Sequence, residues 1–319
     1  MSKADYSIER LGSSDLPAVE ALFNAVFPWK PVPPGFAAWR YASREIGGIC
    51  VGVRESASGR VVAAHGVQLL PATRGLLIGL SVDVMVHPEH QRIGLGGLME
   101  ERVRAEAEKA DCTLLMCFPN PKLARLRETI PEWEPALQAR AYRLEGGFAS
   151  PVAPRAWLVM ANLPDQVEIL WQALRKQAPD LMGIDRSRAY LAWRFMRHPV
   201  NRYQWILPAN GEEVRGAAVT KLWVDPTTNV RFGDIVDLLA LDPGSTKALL
   251  FAACEHLRSQ SVSKITLWAP WTVTDEELTS CGFEPDPQLS RTLQVRYLNK
   301  RPRIDFSEWF LAQSDTDLY

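Results

Sequence analysis

The sequence predicts an α/β (α+β) protein that consists of two similar domains. The chain has 319 residues, and a single hydrophobic core rarely grows beyond about 250–300 residues, so the length favours two domains. Segments with helical spacing alternate with short apolar runs in the first half, which is the order of an α/β fold. Several short motifs of the first half recur in the second half, which indicates an internal duplication.

The first predicted helix follows Ser13–Asp15 and covers residues 16–23. Serine and aspartate are common N-cap residues, Pro17 suits the first helical turn, and apolar residues follow at helical spacing. The proline-rich residues 27–34 end this helix. The other elements of this half are predicted as strands at residues 49–54, 61–70 and Leu77–Val86, a helix at Leu95–Lys109 and a strand at residues 113–118.

Four short motifs repeat between the halves in the same order. The spacing is 154 residues for the first two motifs, 151 for the third and 150 for the fourth. The pairs are Trp39-Arg40-Tyr41 with Trp193-Arg194-Phe195, Val82-Asp83 with Val236-Asp237, Phe118-Pro119 with Ala269-Pro270, and Trp133-Glu134-Pro135 with Phe283-Glu284-Pro285. We therefore expect a duplication with domains at residues 1–152 and 153–319.

Composition and charge restrict the class of protein. The formal net charge is −1, so the chain lacks the basic excess typical of nucleic-acid and membrane-surface binding. The five cysteines include no Cys-x-x-Cys pair, which argues against a disulfide framework and a zinc site. The sequence has no start of signal-peptide type and no run of about 20 apolar residues. We expect a cytoplasmic protein with no metal and no nucleic-acid or membrane partner.

The clearest chemical signal lies where Gly94, Gly96 and Gly97 open the predicted helix after the predicted strand. The first N–H groups of a helix lack partners within the helix, and the helix dipole favours negative charge there. Because glycine has no β-carbon, a diphosphate can approach this backbone closely. Arg92 can add positive charge at the rim. The pattern predicts an anion site.

Two other phosphate-binding loops fit less well. A dinucleotide-binding fold has G-x-G-x-x-G directly after its first strand, whereas this chain has G-x-G-G after four earlier elements. A Walker loop requires Gly-Lys-Ser/Thr, which residues 91–97 lack.

The run Gln91-x-x-Gly94-x-Gly96 resembles the cofactor motif of the GNAT superfamily of acyl-CoA-dependent N-acyltransferases, Arg/Gln-x-x-Gly-x-Gly/Ala. The order of predicted elements over residues 5–148 is also similar to that superfamily. The resemblance implies acetyl-CoA as cosubstrate and two tandem GNAT-like domains, each a mixed, mostly antiparallel sheet flanked by helices. Residues 241–248 stand at the equivalent place in the second half without the motif, so that half resembles a degenerate GNAT domain.

The resemblance also implies cofactor contacts. Backbone groups near a bulge in the strand before the motif would pair with the pantetheine arm, and the motif N–H groups would hold the diphosphate. The strand residues are Val84, Met85 and Val86, and the motif residues are Gln91, Arg92, Ile93, Gly94, Leu95, Gly96 and Gly97. Asn120 falls where many members hold the cofactor with an asparagine, although a turn residue between two prolines is the alternative.

Two residues of the first half are candidate catalytic bases. Many members of the superfamily have a tyrosine about seven residues after that asparagine to protonate the leaving thiolate, but Arg127 stands at this position. Strand alternation places Asp83 on the same face as Ser81, and neighbouring valines would desolvate it, so Asp83 is a candidate general base. His65, on a strand expected beside the cleft, is the second candidate. Alternatively, Asp83 makes only a structural hydrogen bond or salt bridge.

The resulting hypothesis is an acetyltransferase whose amine acceptor attacks acetyl-CoA directly. With the segments Trp39-Arg40-Tyr41 and Phe118-Pro119-Asn120, the chain resembles tandem GNAT putative acetyltransferases associated with bacterial polysaccharide gene sets. This resemblance implies an amino sugar or another small molecule as the acceptor. Trp309 and Phe310 with Asp315 and Asp317 would suit a sugar, unless they belong to a flexible tail. Two alternatives from other classes are a transferase that uses aminoacyl-tRNA and a non-catalytic CoA-binding module.

Overall fold

The computed structural model describes residues 5–127, 130, 132–147, 156–209, 214–298 and 303–317. The chain forms two compact units. Unit 1 comprises Met1–Pro135, Arg197–Val200 and Gln294–Ile304, and unit 2 comprises Ala136–Met196, Asn201–Leu293 and Asp305–Tyr319. The predicted boundary between residues 152 and 153 lies outside the described residues.

Up to residue 139, the described part of the chain forms ten α-helices and β-strands. They are β1 (Tyr6–Arg10), α1 (Leu16–Val26), α2 (Phe36–Tyr41), β2 (Gly47–Glu55), β3 (Val61–Pro71), β4 (Leu77–Val86), α3 (Leu95–Lys109), β5 (Leu114–Cys117), α4 (Pro121–Arg127) and β6 (Glu134–Ala139).

The second part of the described chain repeats this order with small changes. Its elements are β7 (Ala141–Leu144), β8 (Trp157–Met160), α5 (Gln166–Gln177), α6 (Arg188–Leu191), β9 (Tyr203–Pro208), β10 (Gly216–Val224), β11 (Arg231–Ala240), α7 (Pro243–Ser259), β12 (Lys264–Trp268), α8 (Asp275–Ser280), β13 (Glu284–Pro285) and β14 (Arg291–Tyr297). A π-helical turn, Ala192–Met196, continues α6.

Two seven-stranded sheets organise these elements. The first has the order β1-β2-β3-β4-β5-β14-β6, and the second, read from its β8 edge, has the order β8-β9-β10-β11-β12-β7-β13. The pairs β4–β5 and β11–β12 are parallel, and their neighbours β3–β4, β5–β14, β10–β11 and β7–β12 are antiparallel. The predicted α/β (α+β) class with two mixed, mostly antiparallel sheets is confirmed.

The two halves of the sequence exchange one strand. β14, which lies near the C-terminus, pairs with β5 in the first sheet and places Val295 opposite Met116. β7, from the first half, pairs with β12 in the second sheet and places Tyr142 opposite Leu267. Compared strand by strand, β14 and β7 occupy corresponding positions in the two sheets. Each sheet is therefore completed by a strand from the other half of the sequence.

Helix α3 covers one face of the first sheet. Its buried residues Leu95, Met99, Val103 and Ala107 recur every four residues and join one apolar cluster with residues of β2 and β3. This spacing puts them on a single helix face. Burying a side chain of leucine, methionine or valine size contributes about 1.5–3 kcal/mol relative to leaving it exposed. The packing fixes where the N-terminus of α3 lies relative to β4.

Most element predictions agree with the structure. The bounds of β4 and α3 are those predicted, whereas β2 and β3 extend one or two residues beyond their predicted ends. Strand β1 was not predicted, because its only apolar residues, Tyr6 and Ile8, are too few to show a pattern. No helix among the described residues is long and apolar enough to cross a bilayer.

The C-terminal residues contradict both sequence-based interpretations. Trp309, Phe310 and Asp315 have exposed fractions of 4%, 2% and 0%, so they present neither a sugar-binding platform nor a flexible tail. The Phe310 ring lies 4.6 Å from the guanidinium of Arg186, within unit 2. The sequence pattern misleads because polar residues in this segment have buried partners that are distant in sequence.

Candidate functional site: a helix tip beside a split sheet in unit 1

Hydrogen bonds tie the loop between β4 and α3 to residues of β1, β3 and β4. The backbone N–H of His87 donates to the carbonyl of Val62 over 2.8 Å, and Nε2 of Gln91 donates to the carbonyl of Val86 over 3.1 Å. The hydroxyl of Tyr6 lies 3.0 Å from Nδ1 of His90. Strand β1, which the sequence did not reveal, therefore helps to fix the predicted cofactor loop.

The N-terminus of α3 is open. Its N-cap residue, Gly94, has a left-handed backbone (φ 85°), and no side chain among the described residues caps it. A β-carbon built on Gly97 would meet no atom within 4 Å, and Gln91, Arg92 and Gly94 are exposed. The N–H groups of the first turn therefore face accessible space and can receive an anion.

Strand β4 carries a bulge. Gly66 lies opposite Val82 and Ala64 lies opposite Met85, so Asp83 and Val84 together face the single residue His65. Asp83 has φ 51°, a left-handed conformation that turns the strand at this point. A bulge next to Val84–Val86 was expected from the family resemblance.

The bulge changes the faces predicted by simple alternation. Asp83 accepts a hydrogen bond from Nη1 of Arg40 over 3.3 Å and another from the hydroxyl of Tyr41. Ser81 instead contacts His65 and Arg127. The prediction that Ser81 and Asp83 share a face is therefore wrong, because the extra residue in β4 interrupts the period of two.

The carboxylate of Asp83 is held in a buried ion pair. The side chains of Asp83 and Arg40 are 8% and 5% exposed. Burial and the neighbouring Asp83 charge raise the pKa of Tyr41 well above its usual value, so its hydroxyl remains a donor to this carboxylate. The Arg40 guanidinium also lies 4.7 Å from the Phe36 ring, so this arginine of the repeated Trp-Arg motif packs within the domain.

Strands β4 and β5 diverge beside the bulge. Their parallel ladder joins residues 78–80 to residues 114–116, and β4 then continues to Val86. Ser81 and Cys117 are the next residues on the two strands and lie at the vertex of this split. Because β4 leads through one loop into α3, the part of β4 beyond this ladder approaches the N-terminus of α3.

Arg127 lies at the vertex. Its Nη1 donates to Sγ of Cys117 over 2.6 Å and its Nη2 donates to Oγ of Ser81 over 2.8 Å. The guanidinium stacks 3.6 Å from the Trp133 ring, and the side chain is 1% exposed. The position that the family pattern gives to a tyrosine therefore holds a buried cation.

His65 is completely buried rather than beside an open cleft. Its Nε2 lies 2.8 Å from Oγ of Ser81, and its Nδ1 lies 3.7 Å from a carboxylate oxygen of Glu100 in α3. Burial lowers its pKa to about 4, although Glu100 opposes this effect. The imidazole is therefore neutral at neutral pH.

Asn120 lies at the start of α4, and three residues of the loop before α3 lie close together. Asn120 is exposed and its Oδ1 accepts the N–H of Leu123 over 2.9 Å at the start of α4. His87, Glu89 and His90 each place one potential metal-ligating atom within 4.8 Å of the others. The contact between His90 and Tyr6 described above already uses one nitrogen of that ring.

The corresponding helix tip of unit 2 is closed. Asp242 is the N-cap of α7 and accepts the N–H of Ser245 over 2.8 Å. It also accepts hydrogen bonds from Arg215 at 3.1 Å. Although burial opposes it, these bonds lower the pKa of Asp242 and keep it charged. Lys247 pairs with Glu277 over 2.6 Å, which leaves it engaged within unit 2.

No protein-family model and no curated protein matches this sequence. Solved structures do match its fold. A GCN5-related N-acetyltransferase from Anabaena variabilis has a TM-score of 0.68 at 12% identity, over 92% of this chain and 73% of that one. A conserved protein from Enterococcus faecalis has a TM-score of 0.66 at 12% identity, over 92% and 72%.

A third structure shares the tandem organisation over its whole length. The tandem GNAT protein from the clavulanic acid biosynthesis pathway has a TM-score of 0.58 at 16% identity, over 92% of this chain and 98% of that one. Identities this low establish the fold alone. The chain therefore has the fold of tandem GNAT proteins, with one GNAT-like sheet in each unit.

Proposed function

We propose that unit 1 binds acetyl-CoA and transfers its acetyl group to a small-molecule amine. The observation that carries this proposal is the uncapped N-terminus of α3 beside the β4–β5 split. The helix tip offers N–H groups to a diphosphate, and the split offers strand backbone to an extended arm. Unit 1, whose sheet includes β14 from the second half of the sequence, would be the cofactor-binding domain, and unit 2 would be the degenerate domain.

The proposed contacts follow from this arrangement. Backbone groups of Val84, Met85 and Val86 line the free edge of β4 and would pair with the pantetheine arm. The loop and first turn of α3 would hold the diphosphate through Gln91, Arg92, Ile93, Gly94, Leu95, Gly96 and Gly97. Asn120 stands at the start of α4, from which its amide would reach the cofactor.

The proposed reaction is a direct attack. The neutral amine nitrogen forms a bond to the thioester carbonyl carbon, and the carbonyl electrons move to oxygen. The carbonyl then re-forms as the C–S bond breaks with its electron pair on sulfur, and the nitrogen releases one proton to water to give the amide. An N–H group at the Asp83–Val84 bulge would stabilise the oxyanion. Removing one such donor in other enzymes costs about 2.7–4 kcal/mol.

Of the two candidate bases, Asp83 has the more suitable position. It lies at the bulge and retains a small exposed fraction, whereas His65 is wholly buried against Ser81. The ammonium proton of the acceptor would pass to Asp83 or to water. His65 would instead position Ser81, which in turn holds Arg127.

Arg127 would act on the leaving group. Arginine keeps its proton at any physiological pH, so it cannot replace the acid chemistry of a tyrosine. Its charge at the vertex of the split can stabilise a thiolate directly. This proposal requires no proton donor near the sulfur.

The experiment that tests the function is calorimetric titration of acetyl-CoA, followed by an amine panel monitored by free CoA thiol. A β-carbon added at Gly97 meets no neighbouring atom within 4 Å. Gly97→Glu places a carboxylate at the helix tip and is expected to abolish binding, whereas Gly97→Ala is expected to retain most of it. Equal affinity in both variants would contradict the phosphate site. Binding without thiol release from any amine would favour a CoA-binding module, and tRNA binding without CoA binding would favour the aminoacyl-tRNA alternative.

A further inference from the structure

The split between β11 and β12 in unit 2 corresponds to the split between β4 and β5 in unit 1. The parallel ladder joins residues 232–235 to residues 264–267, and β11 then continues to Ala240. The pairing of β10 with β11 shifts at Val219 and Thr220, which leaves Val236 as the extra residue of a bulge. Unit 2 thus retains both features that unit 1 offers to an extended arm.

In unit 2 the chain itself fills this split. The C-terminal segment, defined here as residues 309–316, lies against both strands. Phe310 and Gln313 line a cavity together with residues 235–238 of β11 and Leu267 of β12, and this cavity measures only about 10 Å³. That volume holds roughly one water molecule, so little space remains at this point between the segment and the two strands.

Hydrogen bonds tie the segment to each strand of the split. Oγ of Ser314 donates to Oδ2 of Asp237 in β11 over 2.7 Å, and Nε2 of Gln313 lies 3.4 Å from Oγ1 of Thr266 in β12. Gln313 and Ser314 are only 1% and 2% exposed. The segment therefore has specific partners on both sides rather than a loose apolar contact.

Two buried arginines of unit 2 also donate hydrogen bonds to the segment. Nη2 of Arg186 donates to Asp315 over 2.9 Å, and Nε of Arg194 donates to the carbonyl of Ser314 over 2.9 Å. The hydroxyl of Tyr190 lies 3.3 Å from the same carbonyl. Displacing the segment would strip both guanidinium groups of these acceptors, which is costly for buried charges. An acyl-CoA entering this split would have to meet that cost.

The phosphate end of the same site is closed independently. Asp242 occupies the N-terminus of α7 with its own carboxylate, where unit 1 has Gly94 and no cap. A diphosphate would meet negative charge instead of free N–H groups. In unit 2, groups of the chain itself therefore occupy both the place that corresponds to the pantetheine arm and the place that corresponds to the diphosphate.

We propose that the C-terminal segment is a built-in occupant of the vestigial cofactor split of unit 2, which restricts the chain to one acyl-CoA. This inference rests on the proposed function of unit 1. It assigns the segment a defined role: to complete the core of unit 2 in place of a ligand.

The test combines binding stoichiometry with hydrogen exchange on the full chain. Titration of acetyl-CoA into the unmodified protein is expected to give one site per chain, and Gly97→Glu is expected to give none. Amides of residues 309–316 are expected to exchange slowly with and without acetyl-CoA, while residues 84–97 gain protection when it is added.

The outcomes separate the two proposals. Two sites per chain, or acetyl-CoA-dependent exchange changes in residues 309–316, would show that the split of unit 2 opens and would overturn the inference. Absence of any binding to the unmodified protein would refute the function of unit 1. Binding to Gly97→Glu with protection still at residues 84–97 would refute only the phosphate site.

Discussion

Arg40 and Asp83 form an ion pair at 3.3 Å in which less than a tenth of either side chain is exposed. The pair joins α2 to the bulge of β4, where the left-handed backbone of Asp83 directs its carboxylate away from Ser81. The corresponding Asp237 of unit 2 also pairs with an arginine, Arg186, at 3.3 Å. Because a buried pair occurs at the same bulge in both units, these aspartates stabilise the bulge. A role of Asp83 as the general base would be additional to this one.

Asp83→Asn is expected to destabilise the protein by roughly 3 kcal/mol, because it removes the negative charge of a buried ion pair with Arg40. Urea unfolding followed by fluorescence measures this loss. If Asp83 is also the base, the rate at saturating acetyl-CoA falls across pH 6–9.

Arg40→Leu is the matched control for that change. It breaks the same pair but keeps the carboxylate. Equal loss of rate in both variants would show that Asp83 acts only by positioning the bulge. An unaltered rate in Asp83→Asn across this pH range would remove it as a base altogether.

Much of the site can be predicted from local patterns, and the remainder depends on contacts distant in sequence. The bounds of β4 and α3 follow from apolar spacing and from the glycines at 94, 96 and 97. The exchange of β7 and β14 leaves no local signal, because pairing partners are chosen across the whole chain. The burial of the C-terminal segment could not be predicted from its own polar sequence. Its partners, Arg186 and Arg194, are more than a hundred residues away in the chain.

His65 should make the stability of the protein depend on pH. Its pKa is about 4 in the folded state against 6.5 for the free side chain, so below pH 6.5 the unfolded chain binds a proton that the folded chain does not. Stability is therefore expected to fall as the pH drops from 6.5 toward 4. Between pH 7.5 and 5.0 the expected loss from this residue is about 2 kcal/mol.

His65→Gln isolates this contribution, because glutamine keeps a polar group near Ser81 but does not titrate. The difference in unfolding free energy between pH 7.5 and 5.0 should be smaller in the variant by that amount. An identical pH dependence in both proteins would mean that His65 is not buried in its neutral form.

Arg127 is expected to matter more for turnover than for binding. Arg127→Gln removes the positive charge at the vertex and should lower kcat by tenfold or more while KM for acetyl-CoA changes little, by analogy with the loss of one stabilising donor, which costs about 10²–10³ in kcat. Arg127→Lys keeps the charge and should recover part of the rate. The effect should shrink with a thioester of a more acidic thiol, because that leaving group needs less stabilisation.

A change in KM alone, or an equal effect with every leaving group, would instead give Arg127 a purely structural role. Urea unfolding of both variants is the necessary control, since Arg127 also contacts Cys117 and stacks on Trp133.

Asp242→Ala separates the two barriers that close unit 2. It removes the N-cap of α7, which should cost about 1 kcal/mol of stability, whereas Asp242→Asn keeps a capping oxygen and should cost much less. Neither variant should bind a second acetyl-CoA, because the C-terminal segment still fills the split between β11 and β12. Titration calorimetry gives the number of sites. A second site in Asp242→Ala would mean that the carboxylate alone excluded the cofactor and that residues 309–316 yield to it readily.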